Sequence, residues 1–141
     1  MTGEVKPITE APDPTFAQKL LGDGFVVFPT KGEVVAPFDC KITMIYPTKH
    51  AIALTSNNDM ELLIHIGLDT VTLNGEGFEL LVKEGDIVKR GQTILKVDLA
   101  FMESKEIQMA TPVIITNLNE QVIELKKTGS VRAGEIVLDI K

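Results

Sequence analysis

One cysteine, Cys40, serves the whole chain of 141 residues, which excludes an internal disulfide and any zinc cage built from thiolates. Such a chain suits a reducing cytosol. Positive charge is also short: 14 Lys and Arg stand against 20 Asp and Glu, for a formal net charge of -6 and a pI of about 4.9. Phosphate backbones demand clustered Lys and Arg, so the balance argues against a nucleic-acid binder and for an acidic carrier that meets basic protein partners. No apolar run approaches the roughly 18–20 residues that span a bilayer, and the N-terminus lacks the basic-then-apolar pattern of a signal peptide. The expectation is a soluble, cytoplasmic protein with no direct membrane insertion. Histidine is scarce as well: His50 and His65 are the only two.

What is present is enough for one core. Hydrophobic residues make up 44% and charged residues 24%, ordinary values for a globular protein. At this length a single domain over residues 1–141 is expected. Short runs rich in β-favouring residues cover 24–29, 32–37, 41–46, 51–54, 61–66 and 112–116, separated by Gly, Pro, Asn or Asp. That spacing predicts an all-β protein, an antiparallel β-sandwich with one or two short helical turns. The start, 3–6, reads as a weak edge strand, ended by Pro12-Asp13-Pro14; residues 16–21 read as one helical turn or a brief extended contact, and 99–105 as the other plausible turn. A faint repeat relates 82–95 to 125–138, each with a Gly, then Val-x-x-Gly, then an apolar strand. Related hairpins of this kind packed face to face give a barrel-sandwich-like, hybrid-motif arrangement.

The two histidines both sit in apolar runs, 46–54 and 61–71, joined by Thr55-Ser56-Asn57-Asn58-Asp59-Met60. Asn and Asp tolerate the positive φ of a tight turn, so the runs read as neighbouring antiparallel strands and the imidazoles are expected to meet. A neutral imidazole has a nucleophilic nitrogen, and which one is nucleophilic depends on what the other is bonded to. Gly67, just beyond His65, offers a backbone carbonyl or amide unshielded by a side chain. His50 is then placed to donate to an oxyanion carried by His65, a phosphoryl group in particular. The hydroxyl of Thr48, two residues before His50 and expected on the same strand face, is the candidate for fixing its tautomer. Asp23 and Asp69 are poor phosphate ligands; their use would be to meet Lys or Arg on a partner, or to keep a phosphoryl group from binding too tightly to leave.

Several stretches carry a specific resemblance. They are Gly22-Asp23-Gly24, Ala36-Pro37, Thr48-Lys49-His50-Ala51, Leu63-Ile64-His65-Ile66-Gly67-Leu68-Asp69-Thr70-Val71, Leu73-Asn74-Gly75-Glu76-Gly77-Phe78, Glu84-Gly85-Asp86, Val97-Asp98-Leu99 and Thr111-Pro112-Val113-Ile114-Ile115-Thr116-Asn117. Through them, over nearly its whole length, the chain resembles the glucose-type enzyme IIA family of the bacterial phosphoenolpyruvate-dependent sugar phosphotransferase system. The resemblance implies that His65 is phosphorylated at Nε2 by the phosphohistidine of the carrier HPr and passes the group to a cysteine of a IIB domain. It makes His50 the phosphate-stabilising histidine and Thr48 the residue that orients it. It also implies an apolar, exposed or half-exposed rim for transient docking, onto which Phe25, Tyr46, Leu63 and Phe78 map. Transfer from a phosphoramidate needs positioning and charge stabilisation, so neither a cofactor nor a metal is expected.

The chain departs from the family in three places. Cys40 occupies a turn where the family usually has Gly, and Asn58-Asp59-Met60 replaces an Asp-Gly hairpin tip. The first strand begins at Thr2-Gly3-Glu4 without its upstream half, which is expected of a domain trimmed from a IIC-IIB-IIA permease or of a short free-standing IIA. Rival readings remain. A swinging-arm carrier of the biotinyl or lipoyl type would use Lys105 in Met102-Glu103-Ser104-Lys105-Glu106, after the Gly-Asp-x-Val-x-x-Gly-Gln segment. A zinc peptidase would need a His-x-His pair, which the chain lacks. A regulatory module that docks in a phosphorylation-dependent way shares every feature of the carrier.

Overall fold

The structure is a computed structural model that describes residues 1–19, 22–57, 59–68, 70–73, 75–117, 123–125, 129–131 and 138–140. Its strands are β1 (Gly3–Pro7), β2 (Asp23–Pro29), β3 (Glu33–Val35), β4 (Cys40–Ile45), β5 (Ala51–Ser56), β6 (Glu61–His65), β7 (Phe78–Leu80), β8 (Ile87–Val88), β9 (Thr93–Val97), β10 (Thr111–Ile115), β11 (Ile123–Leu125), β12 (Gly129–Val131) and β13 (Leu138–Ile140). Two short helices, α1 (Pro14–Ala17) and α2 (Leu99–Ser104), and 3-10 turns at Ile8–Glu10 and Thr70–Leu73 complete the described elements. The all-β antiparallel sandwich expected from the short-strand spacing is what forms.

Eight strands make the large sheet in the order β12-β1-β2-β10-β6-β5-β4-β8, and three make a smaller one, β3-β9-β7, with β11 and β13 paired separately. The main core lies between the large and the three-stranded sheets. Ile42, Ile52, Leu54, Leu62 and Ile64 supply one side, and Val34, Leu95, Val97 and Phe78 the other. Residues 82–95 link the two sheets: β8 pairs with β4, and β9 lies between β3 and β7. Most of the expected second copy of that segment, 126–128 and 132–137, lies outside the described residues.

The large sheet is covered on its other face too. Ile8, Ala11, Phe16, Val26, Leu68, Ala110 and Ile114 form a second buried cluster there. Strand β10 therefore has both faces covered and all five of its residues buried, where a half-solvated antiparallel strand would alternate. Helix α1 belongs to this cover. Asp13 caps it by accepting the Thr15 amide, and Pro14 at its first turn comes with the φ a helix needs, so Phe16 is delivered onto the sheet.

Three local expectations need correcting. The segment 3–6 is an interior strand, because β12 pairs with its far side, with Gly3 opposite Val131. Strand pairing from a segment so distant in sequence is invisible to local pattern. Cys40 is not in a turn: it opens β4 and is 2% exposed, packed in the main core. The apolar run 61–71 is strand only to His65, since the chain turns at Gly67 and takes up a 3-10 turn at Thr70–Leu73.

Candidate functional site

Strand periodicity fixes where His65 looks. Along β6, Leu62 and Ile64 enter the main core, so Leu63 and His65 must face the opposite side, where Leu63 packs against the second cluster. There the Phe16 ring meets the imidazole, with centroids 5.1 Å apart and planes tilted by 58°. Past the strand end the backbone reverses at Gly67, whose φ of 74° lies in the left-handed region open to glycine. That reversal brings the Gly67 carbonyl back to His65, and Nδ1 donates to it at 2.7 Å. A carbonyl oxygen accepts only, so the proton of the neutral ring sits on Nδ1 and Nε2 keeps a free lone pair.

His50 arrives from the neighbouring hairpin. Ala51 stands opposite His65 in the β5–β6 register, and His50, one residue before, accepts the Ile66 amide on its carbonyl at 2.7 Å. The two imidazoles meet nearly edge to face, with centroids 5.0 Å apart and planes at 76°. Tyr46 meets the His50 ring at 5.3 Å and 77°. His50 is 6% exposed, and burial, reinforced by the neighbouring His65, lowers its pKa below the ordinary histidine value, so the ring is neutral at pH 7. Its Nδ1 is hydrogen-bonded to the Thr48 hydroxyl. With that hydroxyl donating, the ring proton lies on Nε2, and His50 presents a neutral N–H to whatever charge His65 carries.

Thr48 reaches His50 by a route different from the expected one. Residues 46–50 form the turn between β4 and β5, not a strand, with the Lys49 amide on the Tyr46 carbonyl at 2.7 Å and Lys49 itself at φ 61°. The turn, not a shared strand face, sets the hydroxyl against the ring.

The expected apolar rim divides. Tyr46 and Leu63 are half-buried, one against His50 and the other on the His65 face of β6. Phe25 is half-buried as well, yet it packs against the main core, in the row of Val113 and Ile64. Phe78 is no rim residue: on β7 it is 8% exposed and part of the main core. The resemblance maps it onto the rim, but pairing with Val97 sets it on β7 with its ring against the main core. Phe16, missed as a site residue, takes the place against His65; Asp13 followed by Pro14 was the signal, a helix start that aims the aromatic ring. Asp23 pairs with Lys19 at 3.4 Å and accepts the Gly24 amide at 2.8 Å. Its register partner Ile115 is opposite Leu62, which sets Asp23 further along the sheet than His65. Asp69 lies outside the described residues.

Among the described residues no group of three or more His, Cys, Asp or Glu is arranged to hold a metal ion. Lys105, the arm of the rival reading, caps the C-terminus of α2 with its ammonium 5.7 Å from the Phe101 ring centroid. It is therefore at a helix end and not on the β-turn that a swinging arm requires. No helix among the described residues is long and apolar enough to cross a membrane.

Comparison with known proteins places this geometry. The family described as phosphoenolpyruvate-dependent sugar phosphotransferase system, EIIA 1, matches residues 1–121. The glucoside-specific EIICBA component of the PTS system of Staphylococcus carnosus (strain TM300) is 51% identical over 138 residues, 98% of this chain and 20% of that protein. The glucose-specific EIICBA component of the same organism is 48% identical over 139 residues, 99% of this chain and 21% of that protein. The chain thus spans about a fifth of the length of these curated relatives. The solved structure of glucose permease IIA from Mycoplasma capricolum superposes with a TM-score of 0.91 at 36% identity, covering 97% of this chain and 89% of that one.

Proposed function

The chain belongs to the EIIA 1 family of the phosphoenolpyruvate-dependent sugar phosphotransferase system, and from that premise we propose that it is a single-domain, cytoplasmic phosphohistidine carrier. It accepts a phosphoryl group from phospho-HPr on Nε2 of His65 and passes it to the cysteine of a IIB domain. The observation that carries the reading is the hydrogen bond from His65 Nδ1 to the Gly67 carbonyl, which leaves Nε2 as the nucleophile. On acceptance, the Nε2–P bond forms as the P–N bond to the donor imidazole breaks; on donation, the acceptor sulfur takes phosphorus and His65 recovers its lone pair.

His50, held neutral by burial, stabilises the charge on the phosphoryl oxygens through a hydrogen bond without forming an ion pair tight enough to trap the group. Thr48 sets its tautomer. No cofactor enters this sequence of steps, because the donor supplies a high-energy bond and the site has only to align it. Tyr46 and Leu63 provide apolar contact for partners that bind and leave, and Asp69 meets basic side chains on them.

Incubation with enzyme I, HPr and labelled phosphoenolpyruvate tests the assignment. The wild-type chain takes up label and His65→Ala does not; label retained in that variant would remove His65 from the role.

A further inference from the structure

The backbone that anchors His65 is itself held at every polar group from the Ile66 amide to the Leu68 amide. The Ile66 N–H goes to the His50 carbonyl at 2.7 Å, and the Ile66 carbonyl accepts the Thr70 hydroxyl at 2.7 Å. The Gly67 N–H goes to Thr111 Oγ1 at 3.3 Å, the Gly67 carbonyl accepts His65 Nδ1 at 2.7 Å, and the Leu68 N–H goes to the Gln108 carbonyl at 2.8 Å. Two of these partners are side chains. Thr70 and Thr111 are both 0% exposed, the only described residues besides His50 that are both polar and buried. Thr111 opens β10 in the middle of the large sheet, and its hydroxyl both accepts from Gly67 and donates to the Met109 carbonyl at 2.9 Å.

The 67–68 plane, which carries the acceptor, is held through the Leu68 N–H, but it turns off the 66–67 plane at a glycine with φ 74°, so tilting of the 66–67 plane would carry the acceptor away from His65. From this we infer that Thr111, with Thr70, is a positioning residue for phosphoryl transfer: the two hydroxyls lock the Ile66–Gly67 peptide so that the Gly67 carbonyl holds the proton of His65 on Nδ1. The inference rests on His65 being the acceptor. Neither threonine touches the reacting atoms; each acts on the backbone that selects the tautomer, as outer-shell partners do for metal-binding histidines. A hydroxyl is needed because valine, the same shape, offers the Gly67 N–H no acceptor.

The test uses the full chain with nitrogen-15-labelled histidine. Long-range proton–nitrogen correlation reads the His65 tautomer at mildly alkaline pH without any phosphoryl donor, and acceptance of phosphate from phospho-HPr is timed separately. Wild type gives a single species with the proton on Nδ1. Thr111→Val gives a tautomer mixture and acceptance about tenfold slower, while Thr111→Ser restores both. Thr70→Val shifts the tautomer in the same direction and decides the question if Thr111→Val fails to fold. A folded valine variant with wild-type tautomer and wild-type acceptance overturns the inference and leaves the carrier assignment standing, since a merely structural threonine would lower the unfolding midpoint alone. A wild-type His65 protonated on Nε2 overturns the inference together with the assignment of Nε2 as the nucleophile.

Discussion

The His50 carbonyl accepts the Ile66 amide at 2.7 Å, so one backbone hydrogen bond ties the hairpin that carries one histidine to the turn that orients the other. Neither imidazole can be moved along the sheet without the other. Each consequence of that coupling is open to measurement.

Gly67→Ala should damage both stability and transfer. At φ 74°, a Cβ would lie 2.7 Å from Thr70 Cγ2 and 2.9 Å from Met109 Sδ. The strain costs about 1–3 kcal/mol, to be seen as a lower denaturant midpoint with an unchanged slope. The displaced carbonyl also releases His65 Nδ1, so acceptance of phosphate should fall even where the variant is fully folded.

Stability should decline as pH falls through the histidine range. His50 has its pKa lowered by burial and by His65, so below its unfolded value, about 6.5, the unfolded chain binds the proton that the folded chain refuses. By linkage the loss begins near that unfolded value and grows until the pH passes the lowered folded one. Thermal midpoints measured from mildly alkaline to mildly acid pH should show this slope in wild type and a shallower one in His50→Gln. Equal slopes would mean that His50 titrates alike in both states.

His50→Gln should still accept phosphate at His65 but pass it on slowly. Removing a preorganised donor to a charged transition state costs on the order of a hundredfold. Single-turnover transfer to a IIB domain reads this directly, with acceptance from phospho-HPr measured beside it as the control.

Cys40 should be inert in the folded protein. Burial, with the nearby Asp39 adding to it, pushes its pKa up to about 11, so almost no thiolate exists at pH 7. Alkylation by iodoacetamide should be undetectable in native buffer and complete in denaturant; rapid native labelling would show β4 opening. An inert Cys40 also means that the phosphoryl group cannot stray to a thiol of this chain.

Much of this was readable from the residues. The runs on either side of 55–60 are adjacent antiparallel strands because β-favouring residues flank a turn-forming link, and adjacency alone brings His50 to His65. The helical turn expected at 99–105 forms as α2, where the Asp98 side chain caps it by accepting the Phe101 amide. What escaped depends on contacts between distant segments. Phe16 touches His65 only because α1 folds across the large sheet, and Thr111 reaches Gly67 only because β10 pairs with β6. Phe78 mapped onto the rim through the resemblance alone, and only the packing of the three-stranded sheet against the large one buries its ring. Thr48 had the right partner for the wrong reason: a lysine in left-handed conformation sits where the pattern read strand.

The central claim is that His65 carries the phosphoryl group, and the most direct measurement is its location. After incubation with enzyme I, HPr and phosphoenolpyruvate, tandem mass spectrometry under conditions that preserve phosphohistidine should find one added phosphoryl group, on the peptide that contains His65. A group on His50 or elsewhere, or no added mass with active enzyme I and HPr, would contradict the account.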